Sequence, residues 1–261
     1  AKELVGTLKK ELHVPLHLHT HDSTGNGVST VMMAAEAGVD IVDLAIESMS
    51  SLTSQPSMNA VAEALRGTRR DTGLKPEELT ELSHYYSRVR EVYAPFESDM
   101  KSPNTEIYKY EIPGGQYSNL LAQVTSMGSP DDFEAIKGLY KDANDLLGNI
   151  VKVTPTSKAV GDLAIFMYKN GLTKDNILTE GAGLSYPDSV VSYFQGMMGQ
   201  PYGGFPKELQ KIVLKDIKPL TERPGALLPA VDLEQIKKDL CEKYHYEDRS
   251  DADMCKKAVS Y

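Results

Sequence analysis

The sequence predicts an α/β protein whose second half is mainly helical, and three observations carry that reading. Residues 1–95 alternate helix-period segments with short β-rich runs, the αβαβαβα order from which parallel sheets are built. The run Leu16–Gly27, LHLHTHDSTGNG, places three histidines on alternate positions just before a Gly-rich turn. From Pro95 onward, Pro- and Gly-containing loops separate segments of helical periodicity.

The elements follow in order. Ala1–Leu12 reads as a helix and Val14–His21 as a strand. Val28–Ala37 reads as a helix closed by Gly38, a residue suited to a left-handed C-cap. Ile41–Ile46 is a short β-rich strand. Ser57–Arg66 is helical, with Met58, Val61, Ala62 and Leu65 at i, i+3, i+4 and i+7. Asp71–Leu74 reads as one more short strand. Pro76, suited to a first helical turn, opens a longer helix carrying Leu79, Leu82, Tyr86, Val89 and Tyr93. In the second half, Phe133, Ile136, Tyr140, Ala143 and Leu147 line one helical face, and Val160, Leu163, Ala164 and Met167 another. Further helices are expected at Pro187–Met197, Pro206–Leu214, Leu233–Leu240 and Asp251–Tyr261.

Three strands fall well short of a complete (β/α)8 barrel, which takes about 250 residues. The sheet is either small and open or the C-terminal part of a barrel. A first helix without a cap and a last one without a stop favour a cut chain.

Bulk properties narrow the function. The 261 residues are 41% hydrophobic and 25% charged, with a net charge of −9 and no Lys/Arg run, so neither nucleic acid nor an anionic membrane is an expected partner. No apolar run approaches the roughly 18 residues of a transmembrane helix, and no secretory signal opens the chain. The two cysteines, Cys241 and Cys255, form no CxxC motif, which favours free thiols in a reducing compartment.

Chemistry concentrates in few places. Side chains two apart on a strand share a face, so His17, His19 and His21 would converge, a pattern suited to a metal site. A lone strand histidine is usually an ordinary packed or surface residue; three within five positions are harder to read that way. In VKVTPTSK, Thr154, Thr156, Ser157 and Lys158 gather around Pro155 before a helix. Ser157 could cap that helix, or the hydroxyls and Lys158 could hold a carbonyl or anionic ligand. IPGGQYSNL lacks phosphate-loop spacing and reads as a structural turn, followed by polar Gln116, Ser118 and Asn119. The loop Met49–Ser57 would lie beside the histidines, lining a pocket or capping the next helix through Ser54 or Ser57. Asp40 and Asp43 flank a strand and suit structural roles, Asp43 being the more open to a functional one.

Together, LHLHTHDSTGNG, AGVDIVDLAIESMSSLTSQPSMNA, ESDMKSPNTEIY, EIPGGQYSNL, VKVTPTSKAVGDLA and GGFPKELQ resemble the carboxyltransferase domain of the pyruvate carboxylase family, in register over nearly all of residues 1–240 and fading after them. The resemblance implies the C-terminal part of a TIM (β/α)8 barrel at 1–95, followed by a mainly α-helical, funnel-like extension at 96–261. It implies a divalent metal (Mn²⁺ or Zn²⁺) held in part by His19 and His21, with His17 behind them or lining the site. Thr154 takes the position of the threonine that shuttles a proton between pyruvate and biotin, and Ser157 and Lys158 take positions expected to touch biotin. Two departures are hydroxyl-for-hydroxyl: Thr156 stands where Ser is usual, and HDST replaces HDTS.

The family's first-strand Asp, carbamylated Lys and pyruvate-binding Arg would precede Ala1. Its biotin carboxylase and biotin carrier domains, which work with this one, lie outside the chain as well. With two ligands where catalytic zinc sites usually have three, weak or no metal binding is expected of the piece alone.

The implied reaction moves a carboxyl group from carboxybiotin to pyruvate, giving oxaloacetate, in an enzyme assembled as a dimer of carboxyltransferase domains within a tetramer. It would work in the cytoplasm, or in the mitochondrial matrix if eukaryotic. An oxaloacetate decarboxylase or transcarboxylase subunit is the related alternative, although the TSQPSMN loop resembles theirs less. A non-catalytic piece serving assembly is a second alternative. An unrelated metal-dependent lyase is a third, and VTPTSK and IPGGQYSNL argue against it.

Overall fold

Charge placement and apolar spacing account for the first helices. In the computed structural model, which describes residues 1–98, 100–128 and 130–244, α1 (Lys2–Glu11) has Glu3 in its first turn and Lys9 and Lys10 in its last, the arrangement its dipole favours. Strand β1 (His17–Leu18) leads to α2 (Gly27–Ala37), which ends at Gly38 with φ of +97°, a conformation that costs a side-chain-bearing residue free energy. Strand β2 (Ile41–Val42) pairs parallel with β1, His17 opposite Ile41 and Leu18 opposite Val42. Helix α3 (Met58–Leu65) is capped by Ser57, whose Oγ accepts from the Ala60 amide at 3.3 Å. Its buried face, Val61 and Leu65, packs with Val31 and Ala35 of α2 and with Leu18 and Val42.

Both strands are shorter than the sequence predicts. The Leu16 amide bonds to the Asp40 carboxylate at 2.7 Å instead of a neighbouring strand, and Pro15 has no amide to offer. At the other end Asp22 turns to the 49–57 loop, its amide donating to the Ser54 carbonyl. Ala45 bonds through both backbone groups to Pro56 and Met58, which ends β2. The third predicted strand, Asp71–Leu74, is a turn. The Asp71 carboxylate accepts from the Gly67 and Gly73 amides at 2.7 and 2.9 Å, and Gly73 is left-handed.

Helix α4 (Pro76–Tyr93) begins at Pro76 as predicted. Of its apolar stripe only Leu79 is buried; Leu82, Tyr86 and Tyr93 are exposed. The helices that follow are α5 (Ile107–Tyr110), α6 (Gly114–Ser126), α7 (Phe133–Leu146), α8 (Thr156–Lys169), α9 (Asp188–Gln195), α10 (Lys207–Leu214) and α11 (Leu233–Tyr244). Both predicted faces are buried: Ile136, Tyr140, Ala143 and Leu147 meet Val160, Leu163, Ala164 and Met167 in one core with Leu120, Val190, Phe194 and Val213. At about 1.5–3 kcal/mol for each large side chain removed from water, this core dominates the helical half. Gly161 on α8 leaves room for the Gln116 side chain of α6, since a Cβ there would meet its amide nitrogen at 2.5 Å.

Residues Ala1–Pro219 form one compact unit and a second begins at Leu220. Cys241 on α11 is a half-buried free thiol. Cys255 and the helix expected at Asp251–Tyr261 lie outside the described residues. Among the described residues no helix is long and apolar enough to cross a membrane.

Candidate active site

The parallel register places the histidine run against the end of β2. With His17 opposite Ile41, alternate residues on both strands share a face, and Asp43 comes to stand beside His17 and His19. His17 Nε2 donates to Asp43 Oδ1 at 2.6 Å, and His19 Nδ1 donates to Asp43 Oδ2 at 2.7 Å. These hydrogen bonds, from His17 first and then His19, hold the Asp43 carboxyl below the usual carboxylate range. His21 turns away from them, and its Nδ1 donates to the Thr53 carbonyl at 2.7 Å. The rings of His19 and His21 stand edge to face with centroids 5.3 Å apart.

These contacts fix ring chemistry. A carbonyl and an ionised carboxylate only accept hydrogen bonds, so both Nδ1 atoms carry the proton. The Nε2 lone pairs of His19 and His21 are thereby left for a Lewis acid, as in carboxylate- or carbonyl-oriented metal ligands. The pair therefore fits a divalent cation as two of its donors. Among the described residues, no group of three or more His, Cys, Asp or Glu side chains gathers to complete a ligand set. Asp22, buried behind the pair, accepts from the Gly27 amide at 2.7 Å and shapes the turn into α2.

His19, Thr20 and His21 form one wall of an open cleft of about 430 Å³; its other walls include Gly115, Gln116 and Asn119 from α6 and Lys152, Thr154 and Ser157 from the approach to α8. Histidine run and hydroxyl cluster, far apart in sequence, thus share one lining. His17 is absent from it. So is Lys158, whose ammonium pairs with Asp162 at 2.5 Å and is largely exposed.

Ser157 does not cap α8. The helix starts at Thr156 after Pro155 with no side-chain cap, and Ser157 is buried inside the first turn. Thr156 is the structural hydroxyl, lying 2.7 and 2.6 Å from the Val151 and Val153 carbonyls and drawing the segment tight.

Several lining residues carry little or no signal in the sequence. Gly114 and Gly115, read as a turn, begin α6 directly against His21. A Cβ on Gly114 would sit 2.9 Å from His21 Cβ. Gln116 and Asn119 were visible only as polar residues after the glycines; their i, i+3 spacing puts them on one helix face. Lys152 is held at the cleft by Glu111 at 2.9 Å, and Glu111 also pairs with Lys141 at 3.1 Å. Those pairings, with Lys152 first, lower the Glu111 carboxyl from its ordinary range. The 49–57 loop caps α3 through Ser57 and orients His21 through the Thr53 carbonyl, but it contributes no residue to the cleft lining.

A two-stranded parallel α/β segment with a histidine pair just past its strand end, facing a helical region across a cleft, makes this a two-part α/β module, and its residues 1–85 match the HMGL-like family model. Residues 107–259, more than half the chain, match the conserved carboxylase domain family, and the chain belongs to that family. It is 51% identical over 243 residues to the pyruvate carboxylase of Staphylococcus aureus and 49% identical over 247 residues to that of Bacillus subtilis, covering 93% and 95% of this chain. It spans only about a fifth of the length of these relatives, 21% and 22%. The carboxyl transferase domain of Rhizobium etli pyruvate carboxylase, solved with pyruvate and biocytin among other states, superimposes with a TM-score of 0.87 at 44% identity, over 95% of this chain and 42% of that one.

Proposed function

We propose that this chain is part of the carboxyltransferase centre of a biotin-dependent pyruvate carboxylase, which moves a carboxyl group from carboxybiotin to the methyl carbon of pyruvate to give oxaloacetate. The observation that carries the reading is the one cleft lined by His19, His21, Thr154 and Ser157. The 44–51% identity to pyruvate carboxylases and their carboxyl transferase domain supports it. In this reading residues 1–95 are the C-terminal part of a TIM barrel and 96–261 the funnel-like extension. Biotin carboxylase and carrier domains supply the carboxylated cofactor, the assembly is a homo-oligomer, and the compartment is cytoplasm or mitochondrial matrix.

His19 and His21 would hold a divalent cation, Mn²⁺ or Zn²⁺, through Nε2. When bound, such a cation supplies Lewis-acid stabilisation of charge developing on the keto oxygen. Thr154 does the proton work. Its hydroxyl accepts the proton leaving the pyruvate methyl group while giving its own to the biotin ureido nitrogen freed as the N–carboxyl bond breaks. A hydroxyl can do both because it is donor and acceptor at once, and it ends the step uncharged. Ser157 and Lys158 lie toward the biotin side; Lys158 would leave Asp162 to reach it.

The test is Thr154→Ala in the full-length gene product. Removing a positioned proton carrier costs about 10²–10⁴ in rate, so oxaloacetate formation should fall at least that far while metal content and thermal unfolding stay unchanged. Full activity in the variant refutes the role.

A further inference from the structure

The geometry points to Asp43 as the positioning residue that sets His19 for cation binding, with His17 as the anchor that holds Asp43. This rests on the proposed reading of His19 and His21 as metal ligands and goes one layer behind it. The two ligands are aimed by different means. His21 is aimed by main chain, the Thr53 carbonyl, which no side-chain substitution at 53 removes. His19 is aimed by a side chain, and its own side chain is 57% exposed, so packing alone does not fix the ring. The bond to Asp43 at 2.7 Å selects the tautomer with the proton on Nδ1 and leaves the Nε2 lone pair available, on a residue that lines the cleft.

Asp43 is placed for this and for little else. Asp40, three residues earlier, gives an oxygen to the Leu16 amide and to Lys9 at 2.7 and 2.9 Å and so serves the sheet. Asp43 instead engages one imidazole with each oxygen, His17 with Oδ1 and His19 with Oδ2. The His17 contact stops the carboxylate from rotating out of line with His19. That explains why the histidine run has three members although only two line the cleft. A carboxylate behind a metal-binding imidazole also makes the ring a stronger base, and losing such a partner typically weakens metal binding about 10–100-fold.

The experiment is titration of the metal-stripped full-length gene product with Co²⁺, read by calorimetry and by the visible absorption of the bound ion, beside thermal unfolding. Asp43→Ala should weaken Co²⁺ binding about 10–100-fold with thermal unfolding unchanged. Asp43→Asn, whose carbonyl can still accept from one ring, should recover part of the loss, and His17→Gln should show a smaller loss than Asp43→Ala. His19→Ala and His21→Ala should abolish the signal. If those two lose Co²⁺ while Asp43→Ala binds as wild type does, the positioning role is overturned and the ligand reading stands. If Asp43→Ala loses Co²⁺ only along with its fold, and Asp43→Asn restores nothing, the role is likewise overturned. If His19→Ala and His21→Ala bind Co²⁺ unchanged, the ligand reading itself fails.

Discussion

Gly114 and His21 are in such close contact that any side chain on the glycine would come within 2.9 Å of the histidine's Cβ. The first turn of α6 is seated on the histidine that closes the β1 run, and the cleft exists because the two meet. Gly114→Ala forces either the helix or the ring to move. Overpacking of this kind costs about 1–3 kcal/mol, and urea unfolding should read that loss together with reduced oxaloacetate formation. Gly115→Ala is the control. Its Cβ would lie 3.5 Å from His21, an ordinary contact, and the gain in helix propensity should make it neutral or stabilising by up to about 1 kcal/mol.

A second glycine separates stability from site geometry. At Gly161 an added methyl would meet Gln116 Nε2 at 2.5 Å, the end of a side chain that can swing aside. Replacing a mid-helix glycine by alanine gains about 1 kcal/mol in helix propensity, which offsets the cost of moving one amide. Gly161→Ala should therefore unfold within about 1 kcal/mol of wild type. Gln116, displaced from the cleft lining, should raise KM for the substrates. A large fall in stability with unchanged kinetics would contradict this.

How far the sequence reaches depends on whether a signal is local. The buried faces of α7 and α8 were legible because Ile136, Tyr140, Val160 and Leu163 repeat at helical spacing and meet partners that repeat likewise. Asp71–Leu74 is no strand, and its sequence does not reveal this, because the decisive interactions, two backbone amides on one Asp71 carboxylate, leave no periodic trace. The histidine run announced itself by alternation. Its pairing with Asp43 did not, because it depends on the register between β1 and β2. Gly114 looked like a turn residue for the same reason: what it touches, His21, lies far away in sequence.

Acid should reveal the ion pairs around Glu111. Lys152 and Lys141 lower its carboxyl in the folded protein relative to its ordinary value. A group depressed in this way contributes stability that is present above its unfolded pKa and disappears as pH falls through the lower folded value. Glu111→Gln should therefore be less stable than wild type near neutral pH. The gap should close as pH drops below the ordinary carboxylate range, where wild-type Glu111 also becomes neutral. Urea midpoints across that range would show it, and a gap that stays constant into acid would exclude the ion pairs as its source.

Lys137 gives the last prediction. Its side chain is almost fully buried, yet its ammonium pairs with Glu106 and Glu134 at 2.7 and 2.6 Å and lies near the rings of Tyr110 and Phe133, 5.4 Å from each centroid. Burial pulls its pKa down, but the two carboxylates outweigh that and leave it raised. The stability it contributes is therefore complete below its ordinary pKa and is lost as pH rises through the higher folded value. Replacing a buried ion pair by an apolar side chain of similar volume is often neutral or stabilising, and the half-buried Glu106 and the exposed Glu134 can both return to water. Lys137→Met should accordingly keep the wild-type stability to within about 1 kcal/mol and lose the alkaline sensitivity that Lys137 brings. Lys137→Ala empties the space among the rings and should cost about 2–4 kcal/mol. Equal losses in both variants would mean that the charge, and not the volume it fills, holds α7 to the segment carrying Glu106.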